Sequence, residues 1–195
     1  MAVWWPRLAL IGLLAVALAL RLYDFNWDHS TAAHPDERAI SGWVGRLAFP
    51  RNPFDLFNAQ GSWNPGWDPV AKAHDMSGFN YGSLPLYLIY FFSHLLSWLG
   101  GIFPWWSSWR NAEQYPDQIL AGRVLSAFAD TITVFLVYRI GARLSGARAG
   151  LYAAALATFA VLSIQLAHFT TVDILLTTFC TAAVLSSIDM FTHGR

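Results

Sequence analysis

Charged side chains are scarce in this chain of 195 residues. Asp, Glu, Lys and Arg make up 12% of it, while 55% is hydrophobic and the mean hydropathy is +0.39. A soluble domain of this size carries about twice that share of charge. The formal net charge is zero, so no basic field points to nucleic acid as a partner. This composition predicts an integral membrane protein.

Cysteine is scarcer still. Cys180 is the single cysteine in the sequence, which excludes an intramolecular disulfide. It lies within an apolar segment, and we expect it to be a small buried hydrophobe.

Long apolar runs are what the chain has instead. Four of them cross a bilayer, or nearly so, at about 20 residues per crossing; they cover residues 3–23, 119–138, 150–167 and 172–191. The first resembles a signal peptide, but no cleavage site followed by a soluble domain comes after it. We therefore predict an uncleaved helix with Trp4 and Trp5 at the interface. A fifth run, residues 84–102, is about as long.

Positive charge sets the expected topology. Three arginines lie in the connection at 139–149, and Arg7 precedes the first run. Positive residues favour the cytoplasmic side, and both groups lie there if 84–102 is embedded in the membrane without crossing it. Residues 24–118 then form one large outer region. If 84–102 crosses fully, the arginine-rich connection falls outside, against this tendency.

Tryptophan is confined to the first part of the chain. All ten tryptophans fall between Trp4 and Trp109. An aromatic belt at the headgroups is the simpler interpretation. Stacking of some of these rings on sugars is the alternative, and the sequence does not separate the two.

A scarce acidic pair follows the first apolar run. The sequence His-Pro-Asp-Glu at 34–37 places Asp36 and Glu37 before an amphipathic stretch, 36–48, predicted to lie along the membrane surface with its apolar side down. One interpretation is a helix start with a proline in the first turn and acids favoured by the helix dipole. The other is a functional carboxylate: Asp36 is placed to act as a general base toward an acceptor hydroxyl.

Other ionisable residues border the later runs. Asp173 begins the last run and is either a helix cap or an acid that needs a partner near hydrocarbon. Arg123 either snorkels to the interface or grips a phosphate. Asp130 lies deeper and needs a partner on another helix or beyond this chain. Lys72, the only lysine, has solubility as its simplest role.

A metal site is a further possibility in the first loop. Asp28, His29 and His34 join the acidic pair there, but their spacing does not match a dedicated zinc motif. A divalent cation such as Mg²⁺ or Mn²⁺, held by Asp36 and Asp173, stays open.

Four ordered segments resemble a known superfamily. They are the segments at 34–37 (HPDE), 79–87 (FNYGSLPLY), 120–127 (LAGRVLSA) and 168–173 (HFTTVD). Together with the first apolar run, they are similar to the N-terminal part of GT-C membrane glycosyltransferases, which use polyprenyl-phosphate sugars. Protein O-mannosyltransferases and lipid A aminoarabinose transferases are the most similar branches.

The resemblance implies roles for individual residues. Asp36 corresponds to the catalytic base, with Glu37 as its usual neighbour. Arg123 corresponds to an arginine that supports the donor phosphate or the loop fold. Asp173 corresponds to a second outer acid, which holds a divalent metal in one branch of the superfamily. His168, just before it, is expected to support the same site.

Two features depart from the family pattern. The aminoarabinose transferases carry Glu-Lys before the proline of the embedded helix, where this chain has Gly82, Ser83 and Leu84 ahead of Pro85. Members of the superfamily also have about ten or more spans, so we expect this chain to be an N-terminal module that is incomplete and inactive alone.

The expected function is that of an inverting glycosyltransferase module. It would transfer a sugar from a polyprenyl-phosphate donor to a protein or lipid hydroxyl at the outer face of the cytoplasmic or plasma membrane. The expected fold is all-α and integral to the membrane, with about four transmembrane helices plus amphipathic and embedded helices in the large first outer loop. The alternative is a non-enzymatic multispanning protein, such as a transporter subunit or an uncharacterised family sharing the HPDE motif. Transporters place ionisable residues near the midplane, where Asp130 is the candidate.

Overall fold

A computed structural model describes residues 4–68, 73–74 and 82–193. Lys72, residues 79–81 of the second motif and the end of the chain at 194–195 lie outside the described residues. The chain divides into two compact units. The central unit is Asn26–Gly122, and the terminal unit combines Met1–Phe25 with Arg123–Arg195.

Helices make up nearly all of the regular structure. They are α1 (Trp5–Leu22), α2 (Pro35–Val44), α3 (Ser83–Ile102), α4 (Asp117–Thr158), α5 (Val161–Ala167) and α6 (Val172–His193). Two 3₁₀ turns lie at Pro53–Phe57 and Pro104–Trp109. Two antiparallel strands of two residues each, β1 (Trp67–Asp68) and β2 (Ala73–His74), complete the described elements.

Four of the described helices, α1, α3, α4 and α6, are long and apolar enough to cross a membrane. Large apolar side chains such as Leu8, Ile11 and Leu176 are exposed on them, as expected for surfaces that face lipid. The predicted all-α integral membrane fold is therefore confirmed. Cys180, expected to be buried, is instead exposed on α6.

Helix α4 reverses direction at Ser145 and Gly146. Gly146 has φ +85° and Ser145 has φ −145°, so the helix is interrupted there. A Cβ on Gly141 would lie 2.9 Å from Gly150 Cα, and one on Gly150 would lie 2.6 Å from the Tyr138 carbonyl oxygen. In an unbroken helix, residues 141 and 150 would be about 13 Å apart along the axis. The expected connection at 139–149 is therefore a tight helical hairpin. Its two legs come into contact at Gly141 and Gly150, where the lack of a side chain permits the close approach.

The apolar run 150–167, expected as one helix, is two pieces. The second leg of α4 ends at Thr158, Ala160 is extended with ψ 105°, and α5 begins at Val161. The guanidinium of Arg21 donates to the carbonyl oxygens of Ala157 and Thr158, both at 3.2 Å. Arg21 thereby satisfies helix-end carbonyls that a continued helix would have bonded internally.

Arg21 also forms a buried ion pair. Its Nε lies 2.6 Å from Oδ2 of Asp130, and the two residues are 0% and 2% exposed. The partner that the sequence required for Asp130 is thus on α1, within this chain. The pair connects α1 to the first leg of α4.

Small residues bring the helices of the terminal unit together. Ala17, Val134 and Ala154 form a buried cluster that joins α1 to both legs of α4. Short side chains at such positions permit the close approach typical of membrane helices. Thr133 Oγ1 lies 2.9 Å from Thr178 Oγ1, which links α4 to α6.

The central unit is built on α3. Helix α2 packs against α3, and α3 also packs against the turn Pro104–Trp109. Trp63 is buried and stacks on Tyr87 with centroids 4.5 Å apart and planes 6° apart. Trp63 is therefore a core residue. Trp98 and Trp105 are exposed, which is compatible with an aromatic belt at the headgroups and with stacking on sugars.

Candidate functional site

The loop that leads to α2 has an unusual backbone. Four non-glycine residues between 24 and 34 have φ between 50° and 62°: Asp24, His29, Ser30 and Ala32. Such left-handed conformations cost about 1–3 kcal/mol each for residues with a Cβ and persist only where the surroundings enforce them. Such residues are frequent at functional sites, and here the surrounding structure holds the loop in a strained conformation.

Two charged side chains hold that loop in place. The carboxylate of Asp28 accepts from the backbone N–H of Ser30 at 3.2 Å and of Ala33 at 3.0 Å. Nη1 of Arg38, in the first turns of α2, donates to the Ala32 carbonyl oxygen at 2.6 Å. The loop is therefore tied to the start of α2. Asp28, one of the candidate metal ligands in the sequence, thus has both carboxylate oxygens bonded to backbone N–H groups.

Helix α2 begins with the His-Pro-Asp-Glu segment. His34 is the N-cap, and its Nδ1 accepts from the Asp36 N–H at 3.3 Å. Pro35 occupies the first helical position, where its missing N–H costs nothing. The segment thus has the geometry of a capped helix start, and this start sets the direction in which the two carboxylates leave the helix.

The two carboxylates have different surroundings. Glu37 is 0% exposed, whereas Asp36 is only half-buried. Adjacent residues on a helix point about 100° apart, so one carboxylate can enter the protein while its neighbour remains reachable. Asp36 is the more accessible of the two carboxylates, and Glu37 belongs to the packed interior.

The apolar side of α2 faces protein. Ile40, Trp43, Val44 and Leu47 are all buried. These side chains are therefore covered by protein and do not lie on lipid as expected, and α3 is one element that packs against this helix. The helix itself ends at Val44, earlier than the predicted residue 48.

A polar network fixes α2 to the start of α4. Ser41 Oγ donates to Gln118 Oε1 at 2.9 Å, and Gln118 Nε2 donates to the Glu113 carbonyl oxygen at 3.1 Å. Burial raises the pKa of the Glu113 side chain, but surrounding hydrogen bonds and the charge of His94 hold that pKa below its usual value on balance. Sequence analysis did not single out any of these residues.

Arg123 is buried and bonds to the backbone just after α1. It is 0% exposed, and its Nη1 donates to the Phe25 carbonyl oxygen at 3.0 Å. The snorkelling interpretation is therefore wrong, because a snorkelling guanidinium reaches water. At least one of its N–H groups supports the backbone that follows α1.

His168 contacts the same stretch of backbone. Its Nε2 lies 2.7 Å from the Tyr23 carbonyl oxygen, and its Nδ1 lies 2.7 Å from that of Ile164. His168 and Arg123 together fix two carbonyls, of Tyr23 and Phe25, just after α1. Within the terminal unit these two predicted support residues thus act on one segment.

Asp173 is exposed in the first turn of α6. That position favours an acid, because the helix N-terminus is electropositive. The residues before it are anchored: Ser126 Oγ donates to the Phe169 carbonyl oxygen at 3.1 Å, and Thr170 and Thr171 are buried. The geometry matches the helix-start interpretation of Asp173.

The candidate residues divide between the units. Asp36 and Glu37 lie in the central unit, and Arg123, His168 and Asp173 lie in the terminal unit. Within the described residues, no group of three or more His, Cys, Asp or Glu side chains is placed to hold a metal ion. A divalent cation held by Asp36 and Asp173, which belong to different units, stays a prediction.

The organising roles of Arg21, Asp28 and Arg38 were not predicted from the sequence. Arg21 carried a usable signal, because an arginine at the end of an apolar run needs an acid, and Asp130 was the available one. The bonds made by Asp28 and Arg38 depend on loop conformation, for which the sequence has no comparable signal.

Comparisons with known proteins give one match. Residues 112–195 match the model of the family described as dolichyl-phosphate-mannose-protein mannosyltransferase. No curated protein matches the chain, and no solved structure matches it. Over residues 112–195 the chain carries the pattern of this mannosyltransferase family, and the predicted relationship to GT-C membrane glycosyltransferases is confirmed.

Proposed function

We propose that this protein transfers a sugar from a polyprenyl-phosphate donor to an acceptor hydroxyl at the outer face of the membrane. The family match over 112–195 carries the proposal, because it supports a mannosyltransferase-like function independently of the first loop. The first loop adds a half-buried carboxylate, Asp36, on a capped helix start. Asp36 lies in the central unit, outside the matched residues, most of which belong to the terminal unit.

Asp36 is the proposed general base. Its carboxylate takes the proton of the acceptor hydroxyl while the hydroxyl oxygen forms a bond to the anomeric carbon. The bond from that carbon to the phosphate oxygen breaks, and the polyprenyl phosphate leaves with the electron pair. Attack opposite to the leaving group inverts the configuration at the anomeric carbon.

Arg123 and His168 are proposed as positioning residues. Both bond to backbone carbonyls just after α1, at Phe25 and Tyr23. Both residues thus hold the stretch of backbone that directly precedes, in sequence, the loop leading to Asp36. This role differs from direct contact with the donor phosphate, which we do not assign to either residue.

The alternative of a transporter subunit loses its main support. That interpretation needed Asp130 as a midplane group able to bind and release cargo. Asp130 is instead paired with Arg21 at 2.6 Å in a buried site. No observation on the described residues favours a non-enzymatic role.

The proposal predicts a specific donor. The full-length native protein, in membranes, is given mannose linked to a polyprenyl phosphate, with a nucleotide-linked mannose as the matched control. We expect transfer to a hydroxyl acceptor from the first donor only, with an inverted product. Transfer from the nucleotide sugar alone, or retention of configuration, would contradict the proposal.

A further inference from the structure

Two helices of the terminal unit line an apolar groove. It lies between α1 and the second leg of α4, residues 147–158, and has a volume of about 550 Å³. Residues spaced three or four apart share one face of a helix, and each helix contributes such a row: Trp5, Ala9 and Leu13 from α1, and Arg148, Tyr152 and Ala155 from α4. The groove extends about 12 Å from Trp5 to Leu13.

The groove has a distinct end. Arg21, near the end of α1, bonds to the carbonyl oxygens of Ala157 and Thr158 at the end of the second leg. The two helices therefore run in the same direction, which places Trp5 and Arg148 together at the opposite end. From there toward Leu13, the lining is apolar apart from the tyrosine hydroxyl.

Among the described residues that line the groove, Arg148 is the one that carries a charge. It is exposed, and no acid partners it in the described part of the chain. Arg143, in the same hairpin, differs because its Nε lies 3.1 Å from Asp189 Oδ1. The groove thus combines an unneutralised cation at one end with a hydrocarbon surface along its length.

We propose that this groove binds an anionic glycerophospholipid. The phosphate pairs with the Arg148 guanidinium through charge-assisted hydrogen bonds. Trp5 and Tyr152 lie at headgroup level, as interfacial aromatic residues do, and an acyl chain follows the groove past Ala9 and Ala155. Basic pockets between membrane helices bind anionic headgroups in this manner.

A second helix is a poorer occupant. It would have to carry an acid to Arg148, whereas an anionic headgroup supplies that countercharge at the interface itself. A polyprenyl phosphate shares the chemistry of a phosphate with a hydrocarbon tail. The ordinary phospholipid is the proposed occupant, and this proposal is independent of the role of Asp36.

The test is lipid binding by native mass spectrometry. Full-length protein in detergent is titrated with dioleoyl phosphatidylglycerol or dioleoyl phosphatidylcholine. We expect Arg148→Gln to weaken phosphatidylglycerol binding about fivefold. Arg143→Gln removes the same charge from an existing ion pair and should change binding by about twofold or less. Ala155→Phe, which fills the groove, should weaken the binding of both lipids.

Three results would overturn the proposal. Equal losses for Arg148→Gln and Arg143→Gln would mean diffuse surface charge. Unchanged binding in Ala155→Phe, with its melting temperature as in the parent, would mean that the acyl chain lies elsewhere. Displacement of phosphatidylglycerol by an equal or smaller amount of polyprenyl phosphate would assign the groove to that lipid.

Discussion

Among single residues, Asp36 and Glu37 show how position separates two similar groups. Both carboxylates lie in the first turn of α2, yet only Asp36 is half-exposed. The sequence identified the pair, because acids are rare in this chain. Their different burial depends on the side of α2 that packs against the protein, which the pattern of apolar residues indicated only in part.

Asp28 gives a prediction about the loop before α2. In Asp28→Asn, one of the two oxygens that accept from Ser30 and Ala33 becomes an NH₂ group, so one bond is lost. A hydrogen bond to a charged group contributes about 1.5–3 kcal/mol. We expect faster limited proteolysis within 24–34 and reduced transfer. Asp55→Asn, in an exposed turn, is the control. Equal proteolysis of the two variants would refute the anchoring role.

At the scale of elements, the sequence predicted the helices best where an apolar composition alone indicates a membrane helix. The apolar runs became helices, but the turn at Ser145 and the break after Thr158 differ from expectation. The arginine-rich stretch looked like a loop because its charges and glycines are typical of loops. At the break, the carbonyls of Ala157 and Thr158 accept from Arg21, more than a hundred residues earlier in the chain, and no local sequence pattern indicates such a contact.

The ion pair between Arg21 and Asp130 should couple α1 to α4. Removing one partner of a buried pair leaves the other charge uncompensated and costs about 3–5 kcal/mol. We expect Arg21→Met and Asp130→Leu each to lower thermal stability strongly, and the double variant to lose much less than the sum. Thermal unfolding in detergent measures this. Additive losses would show that the two residues act independently.

The hairpin in α4 makes a prediction about glycine. In Gly150→Ala, the new methyl group would lie 2.6 Å from the Tyr138 carbonyl oxygen. Such overpacking costs about 1–3 kcal/mol. Gly12→Ala is the matched control, because nothing lies within 4 Å of its Cβ position. There alanine should be neutral or slightly stabilising in a helix. A Gly150→Ala protein as stable as the parent would contradict the close approach of the two legs.

At the scale of the whole molecule, membrane topology depends on α3. Its 20 residues are long and apolar enough to cross, while the charge distribution favours an embedded helix. For an embedded α3, the positive-inside tendency predicts a hairpin turn in the cytoplasm. Sequence established the class of protein and the family relationship. It did not establish whether α3 crosses the membrane or is embedded in it, because the length and hydropathy of α3 suit both arrangements.

Cysteine labelling at the hairpin turn tests the topology. Ser145→Cys is made in a Cys180→Ser background, which removes the exposed native cysteine. We expect an impermeant maleimide to label it only from the cytoplasmic side. Labelling from outside would make α3 a full crossing.

The central claim is that Asp36 is the base of a sugar transfer. Its most direct test is the transfer rate of the full-length native protein, with polyprenyl-phosphate mannose as donor, for Asp36→Asn beside Asp55→Asn. General-base catalysis contributes about 10²–10⁴-fold, so Asp36→Asn should lower the rate at least about a hundredfold with an unchanged melting temperature. Asp55→Asn should transfer at the parent rate. Undiminished turnover in Asp36→Asn would contradict the account.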